Sequence, residues 1–336
     1  MRLFIALATV VFLAAIGWGG YWFIGSSAVE RSLNNWLQDR RAEGWQADVR
    51  TLQTRGFPSR FDTTITGLEL ADPETGLAWQ LPRLEILALS YRPNHIIAML
   101  TGPQVLATPQ QRITVTSDSL RGSVVFVPDT DLTLDRANFE LSDITLASTL
   151  SWDSALESGR IGTRRNNTNP LAHDIAFEAI SLRPSDALRS RLDPAGLLPP
   201  AFSQFGADVT ATFTAPWDRH AVETARPQLS DLDIRQIRAS WGDLELRATG
   251  RISVDTQGIP SGEITLNATN WRDMIEIARN SGALPEGMVG PLTSALEFLA
   301  RLSGDSDTLN APLAFRDGRV MLGPIPLGEA PRLILR

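Results

Sequence analysis

Cysteine is absent from the 336 residues. That excludes disulfides, thiolate catalysis, iron–sulfur clusters and thiolate zinc sites. Lysine is absent too: all 31 basic residues are arginine, so neither a Schiff-base lysine nor a phosphate-loop lysine is available. Histidine is scarce, with His95, His173 and His220 far apart in the chain. Net positive charge is lacking, since the formal charge is −7, and a chain without a basic stripe has no electrostatic footprint for nucleic acid. No Gly-rich phosphate loop and no G-x-S-x-G context for a nucleophile occurs. These absences predict a protein with no cofactor, no metal site, no nucleic-acid partner and no enzymatic activity.

What is present is ordinary in bulk. Hydrophobic residues make up 43% and charged residues 21%, the balance of a folded protein and not of a disordered or fibrous one. The 25 Gly and 21 Pro are close to normal usage. The length suits one large or two medium domains.

The first segment concerns location. Leu3 to Ile24 carries no charge over 22 residues. As an α-helix it reaches about 33 Å, enough for a hydrocarbon core of about 30 Å. Arg2 gives the short positive flank, the first acidic residue is Glu30, and Trp18, Tyr21, Trp22 and Phe23 gather at the far end like an interfacial aromatic belt. The pattern predicts a single-pass anchor with the amino terminus cytoplasmic and the body outside the cytoplasm, which in a bacterium with two membranes means the inner membrane and the periplasm. The alternative is a cleaved signal peptide, for which Ser26-Ser27-Ala28 is a loose cleavage site. A separate amphipathic helix over 25–44 is expected next. Ser27 and Glu30 have capping-box spacing, Val29, Leu33, Trp36 and Leu37 recur at helical intervals, and Gly44 ends it.

Beyond Gln46 the dominant period is two. Phe61, Thr63 and Ile65 alternate with polar residues, as do Ile113 and Val115, then Val209, Ala211 and Phe213, then Leu244, Leu246 and Ala248, then Ile264, Leu266 and Ala268. Strict alternation means one dry and one wet face per strand, the mark of an antiparallel sheet solvated on one side. Asp72 to Gly76 and Asp255 to Pro260 read as hairpin turns. Ser158 to Pro170, with Arg164 and Arg165, reads as a polar loop, and Pro194 to Pro200 as a second break. A short helix opens at Pro184-Ser185-Asp186; two clearer ones follow at about 270–303, the first capped by Asn270, the second lined by Leu292, Leu296, Phe298, Leu299 and Leu302. The expected fold is mainly β with a few helices (α+β): a transmembrane helix over 1–24, the juxtamembrane helix over 25–44, and long, curled antiparallel sheets with short capping helices in two β-rich units, 45–183 and 184–336.

Candidate sites are few. Gly56, Phe57, Pro58, Arg60 and Phe61 stand out as a lipid-contacting or structural motif. In the structural reading Gly56 supplies an unusual φ, Pro58 ends ladder pairing and the two phenylalanines pack. In the functional reading Arg60 grips a lipid phosphate through its forked guanidinium, against the simpler option of pairing with Asp62. His173-Asp174 and Asp218-Arg219-His220 set an acid beside a histidine. Adjacency supplies no catalytic geometry, and exposed loop histidines are the expectation.

The stretch Gly56-Phe57-Pro58-Ser59-Arg60-Phe61, after an anchor and a Trp-bearing helix, resembles the G-F-P-x-R-F signature of an uncharacterised proteobacterial envelope family, domain of unknown function 2125. Ser90-Tyr91-Arg92-Pro93-Asn94-His95 is similar to that family's S-Y-x-P-N-H stretch. A wider resemblance, carried by Leu246 to Gly250, Ile252 to Gly258, Gly262 to Leu266 and the tail Pro312 to Pro324, is to AsmA-like envelope proteins. It implies one anchor, a periplasmic antiparallel sheet with an apolar inner groove, and a role in envelope lipid homeostasis. The expected partners are therefore membrane lipid, including a phospholipid ligand, and envelope proteins. The alternative is a structural or scaffolding component of an envelope complex without a ligand.

Overall fold

The computed structural model describes residues 1–282, 284, 286–303, 307–323 and 325–335. Pro324 and the side chain of Leu302, both named above, lie outside the described residues. The chain forms two units, Met1–Val125 with Leu146–Ser151, and Phe126–Thr145 with Trp152–Arg336.

The first unit opens with α1 (Arg2–Ala42), one helix that takes in both the apolar run and the amphipathic segment. The expected cap at Ser27 does not form. Nothing between Ile24 and Val29 stops the helix, Ser26 folds its hydroxyl back onto the Phe23 carbonyl, and the Glu30 carboxylate reaches across to accept the Thr54 amide at 2.6 Å. Behind it come β1 (Gln46–Asp48), β2 (Thr51–Arg55), β3 (Arg60–Asp72), β4 (Leu77–Leu89), β5 (Arg92–Thr101), β6 (Gln104–Ala107), β7 (Arg112–Thr116) and β8 (Ser119–Phe126). β3 is the hub: it pairs antiparallel with β1, β2 and β4. β4 pairs onward with β5 and β6. The turn at Asp72 to Gly76 closes as expected, the Gly76 amide donating to the Asp72 carbonyl at 2.8 Å. Phe61, Thr63, Ile65 and Leu68 of β3 are buried, so the alternating set changes parity across Gly67. Ile65 and Leu68, with Leu37, Ala47 and Leu81, form the core between α1 and the sheet.

The chain passes from one unit to the other at the last residue of β8, within β9 (Leu134–Ser148) and again before Trp152. The second unit is an antiparallel meander. β10 (Asp153–Arg165), β11 (Ala172–Arg183), β12 (Phe202–Phe213), β13 (Leu229–Trp241), β14 (Leu244–Val254), β15 (Pro260–Thr269) and β16 (Thr308–Arg316) each pair with the next. β17 (Arg319–Leu322) and β18 (Ile325–Glu329) follow. Ile234, Ala248, Ile252, Ile264 and Phe315 share one buried cluster, as the period-two reading requires.

Helices interrupt the meander in three places. α2 (Asp186–Leu192) is capped by Ser185, and α3 (His220–Glu223) is a single turn. α4 (Trp271–Ser281) and α5 (Glu286–Ser303) pack Trp271, Leu292, Leu296 and Ala300 against Ala268 and Leu309. Two expectations change here. Asn270 takes a left-handed conformation, and its side chain bonds the Asp243 carbonyl instead of capping α4. Phe298 is exposed, off the buried stripe of α5. The polar loop expected over Ser158 to Pro170 is also corrected: up to Arg165 it is strand β10, paired residue by residue with β11. Its wet face bears Arg160 and Arg164, and Gly159 and Gly162 dilute the apolar alternation, so the strand resembles a loop in composition.

Candidate functional site

The sequence motif at Gly56 folds as the tight link between β2 and β3. Gly56 has φ +107°, and a Cβ there would meet the Arg60 Cβ at 2.8 Å, so the turn needs glycine. The Phe57–Pro58 peptide is cis. The Ser59 and Arg60 amides donate to the Gly56 carbonyl. The second motif, at Ser90, is the turn between β4 and β5, and the two motifs meet. The Ser90 amide donates to the Ser59 carbonyl at 2.9 Å, and its hydroxyl donates to the Pro58 carbonyl at 3.2 Å. Ser90 is fully buried.

Both turns are latched onto α1 by its aromatic belt. Trp18 Nε1 donates to the Pro58 carbonyl at 2.8 Å, Tyr21 Oη to the Ser90 carbonyl at 2.6 Å, and Trp22 Nε1 to the Arg60 carbonyl at 2.7 Å. Phe57 lies edge-on to Trp22 and stacks with Phe23; Phe61 stacks with Trp22. Arg60 pairs with Asp62 at 3.0 Å, on the wet face of β3. Of the singled-out residues, then, Gly56, Phe57, Pro58 and Phe61 are brought together around α1, and Arg60 joins them through its backbone, its amide on Gly56 and its carbonyl on Trp22, while its guanidinium turns to Asp62.

Further along α1 a pocket of about 310 Å³ opens between the helix and the sheet. Leu33 and Trp36 of α1, Leu52 of β2, Ile65 of β3 and Trp79 and Ile86 of β4 are among its walls, and every lining residue is Leu, Ile, Val or Trp. The indole nitrogen of Trp79 is occupied by Gln104 Oε1 at 3.0 Å. The volume sits at the low end of the roughly 300–1,000 Å³ typical of small-molecule sites. With no polar group to solvate an ion or hold a hydroxyl, the chemistry it accommodates is hydrocarbon. Leu33, Trp36 and Leu37 were legible as one helix face; that the sheet stands off from them was not.

The second unit offers a polar counterpart, an open cleft of about 560 Å³ that includes Arg136, Arg164, Asp174, Asp208 and Arg235. Burial pushes the Asp174 carboxyl up, and hydrogen bonds from Thr210, Asn166, Arg235 and Arg164 outweigh it, holding the group at about 2. Its neighbour His173 faces the other way, as adjacent residues on a strand must. His173 is 3% exposed, sits 3.2 Å from Thr163 Oγ1 and lies edge-on to Phe213. The expected exposed loop histidine is thus a buried strand residue here, and the His173-Asp174 pair forms no dyad. Burial pushes the imidazole below its usual range; Arg165 adds to this, against Asp135 and Asp174. His220 does lie exposed at α3, 3.4 Å from Asp218. Among the described residues no three His, Asp or Glu side chains converge as a metal site requires.

The fold and site define an antiparallel β protein with one long amino-terminal helix, apolar enough over its first part to cross a membrane. The chain belongs to a family described as an uncharacterized protein conserved in bacteria (DUF2125), whose model matches residues 22–331. The match takes in Trp22 and both latch motifs. No curated protein and no solved structure matches the chain.

Proposed function

We propose that this protein is held in the bacterial inner membrane by α1, with its β units in the periplasm, and that it takes a lipid acyl chain into the pocket between α1 and the sheet without making or breaking bonds. The observation that carries the reading is the wholly apolar wall of that pocket. Its position supports it as well. Leu33 lies about 14 Å of helix beyond Ile24, so a chain in the pocket has left the bilayer interior. In water each exposed methylene costs about 0.8 kcal/mol. A pocket of aliphatic and indole walls removes most of that cost, so exchange with the bilayer is nearly balanced and the chain is carried, not trapped. The amino-terminal Arg2 flank supports a cytoplasmic amino terminus, and the AsmA-like resemblance agrees with a role in envelope lipid homeostasis.

The test is native mass spectrometry of the full-length chain taken from membranes in mild detergent. The expected spectrum contains a lipid-bearing species that disappears in Leu52→Trp, a substitution that fills the pocket, with the melting temperature held within a few degrees. Lipid-free wild type, or equal occupancy in both, contradicts the proposal.

A further inference from the structure

How deep α1 sits in a bilayer follows from where the body grips it. The part of α1 clear of the latch, Leu3 to Gly17, reaches about 22 Å at 1.5 Å per residue. The hydrocarbon core is about 30 Å thick. The shortfall is made up only if Trp18 to Ile24, about another 10 Å, also lie at membrane depth. Those residues are the ones bonded to the body: Trp18, Tyr21 and Trp22 donate to the carbonyls of Pro58, Ser90 and Arg60. The two turns therefore share the depth of the helix's aromatic belt.

We infer that the turns Phe57–Ser59 and Ser90–Tyr91 are seated in the interfacial layer of the same bilayer that α1 crosses. The inference rests on the anchor reading above and adds to it a second point of contact, made by the sheet. Three features fit a lipid interface. Phe57 is 56% and Tyr91 59% exposed at the tips of the turns, and such aromatic side chains favour the headgroup level. Arg92 is exposed beside Tyr91, where its guanidinium reaches headgroup phosphates. The turn backbone is also prepared for a dry setting. Non-helical backbone at membrane depth requires protein partners for its polar groups. Pro58 has no amide hydrogen to satisfy, and the Gly56, Pro58, Ser59, Arg60 and Ser90 carbonyls each accept a hydrogen bond from the chain itself.

A chain without native cysteine makes the test direct. Full-length Leu13→Cys, Phe57→Cys, Tyr91→Cys and Glu74→Cys variants are labelled with an environment-sensitive fluorophore; Glu74 is exposed in the turn at the far end of β3, in the same unit as the latch. They are then reconstituted into phosphatidylethanolamine–phosphatidylglycerol vesicles containing lipids with a nitroxide near the headgroup or deep in the chain. The expected result is quenching of the label at position 13 by the deep nitroxide, and quenching of the labels at 57 and 91 by the shallow one at least twofold stronger than at position 74. Tyr91 makes none of the latch contacts, so its variant reports even if Phe57→Cys loosens the turn. Labels at 57 and 91 as water-exposed as that at 74, with position 13 deeply quenched, overturn the seating and leave the anchor standing. A label at position 13 that is not quenched overturns both.

Discussion

A Cβ on Gly25 would lie 2.7 Å from Phe61 Cζ, inside the ring's contact radius, whereas Gly17 on the same helix has nothing within 4 Å. Glycine in a helix lowers its stability by about 1 kcal/mol relative to alanine, so Gly25 is there for the close approach of the Phe61 ring. Phe61 is wedged against Trp22 and Tyr21 and has little room to give. Gly25→Ala is expected to lower stability by about 1–3 kcal/mol, the cost of overpacking, and Gly17→Ala, which meets nothing, to raise it by up to about 1 kcal/mol, as read by thermal unfolding in detergent. His173 and Asp174 are among the residues that shape the pH response of the second unit, alongside Asp129 and Glu245, whose carboxyls are also held below their ordinary values. His173 is pushed below its ordinary value by burial, so the unfolded chain binds the proton more readily. Stability is therefore complete at neutral pH and falls as pH drops below about 6.5, until the folded state also protonates. Asp174 is held at about 2, below its ordinary 3.8. Its contribution stays intact above that ordinary value and is lost as pH falls from about 3.8 towards 2. Unfolding followed across pH should show both slopes, with His173→Gln removing the upper one alone.

At the scale of elements, α1 matters because it is unbroken. The apolar run Leu3 to Gly17, the aromatic latch and the pocket wall at Leu33 and Trp36 lie on one helix, so in the proposed topology the latch sets the distance between pocket and bilayer. Ser27→Pro, at an exposed position between latch and pocket, removes a helix hydrogen bond and costs about 3 kcal/mol. It is expected to lower the melting temperature and to increase protease cleavage between Phe23 and Leu33; unchanged melting and cleavage would mean the two halves of α1 act independently. Much of this architecture was legible. Period-two alternation marked β3, β12, β14 and β15 because each carries a run of inward-facing, mainly apolar residues at every second position, as at Phe61 to Ile65 and Val209 to Phe213. β10 was missed because glycines and arginines replace its apolar alternation, and the continuity of α1 because Ser27 and Glu30 imitate a cap that the Thr54 amide takes over. The motif residues were visible as a string, but the hydrogen bonds Ser90 to Pro58, Trp18 to Pro58 and Tyr21 to Ser90 join positions 32, 40 and 69 apart and leave no local pattern.

For the whole molecule, the latch bears on whether the amino terminus is kept. Trp18, Tyr21, Trp22 and Gly25 belong to the folded first unit, so cleavage near Ser26-Ser27-Ala28 would strip out part of its core. The mature chain is expected to fractionate with membranes and to keep the peptide Arg2 to Arg31 in its mass map; a soluble periplasmic form beginning near Ala28 would overturn the anchor. The central claim, that the pocket holds an acyl chain, is tested most directly by feeding cells a fatty acid with a photoreactive diazirine, irradiating, and mapping the adducts on the purified chain. The account predicts adducts on the pocket walls, at Leu33, Leu52 and Trp79, in addition to the ordinary lipid contacts along Leu3 to Gly17, and predicts their loss in Leu52→Trp. Adducts confined to Leu3–Gly17 would contradict it.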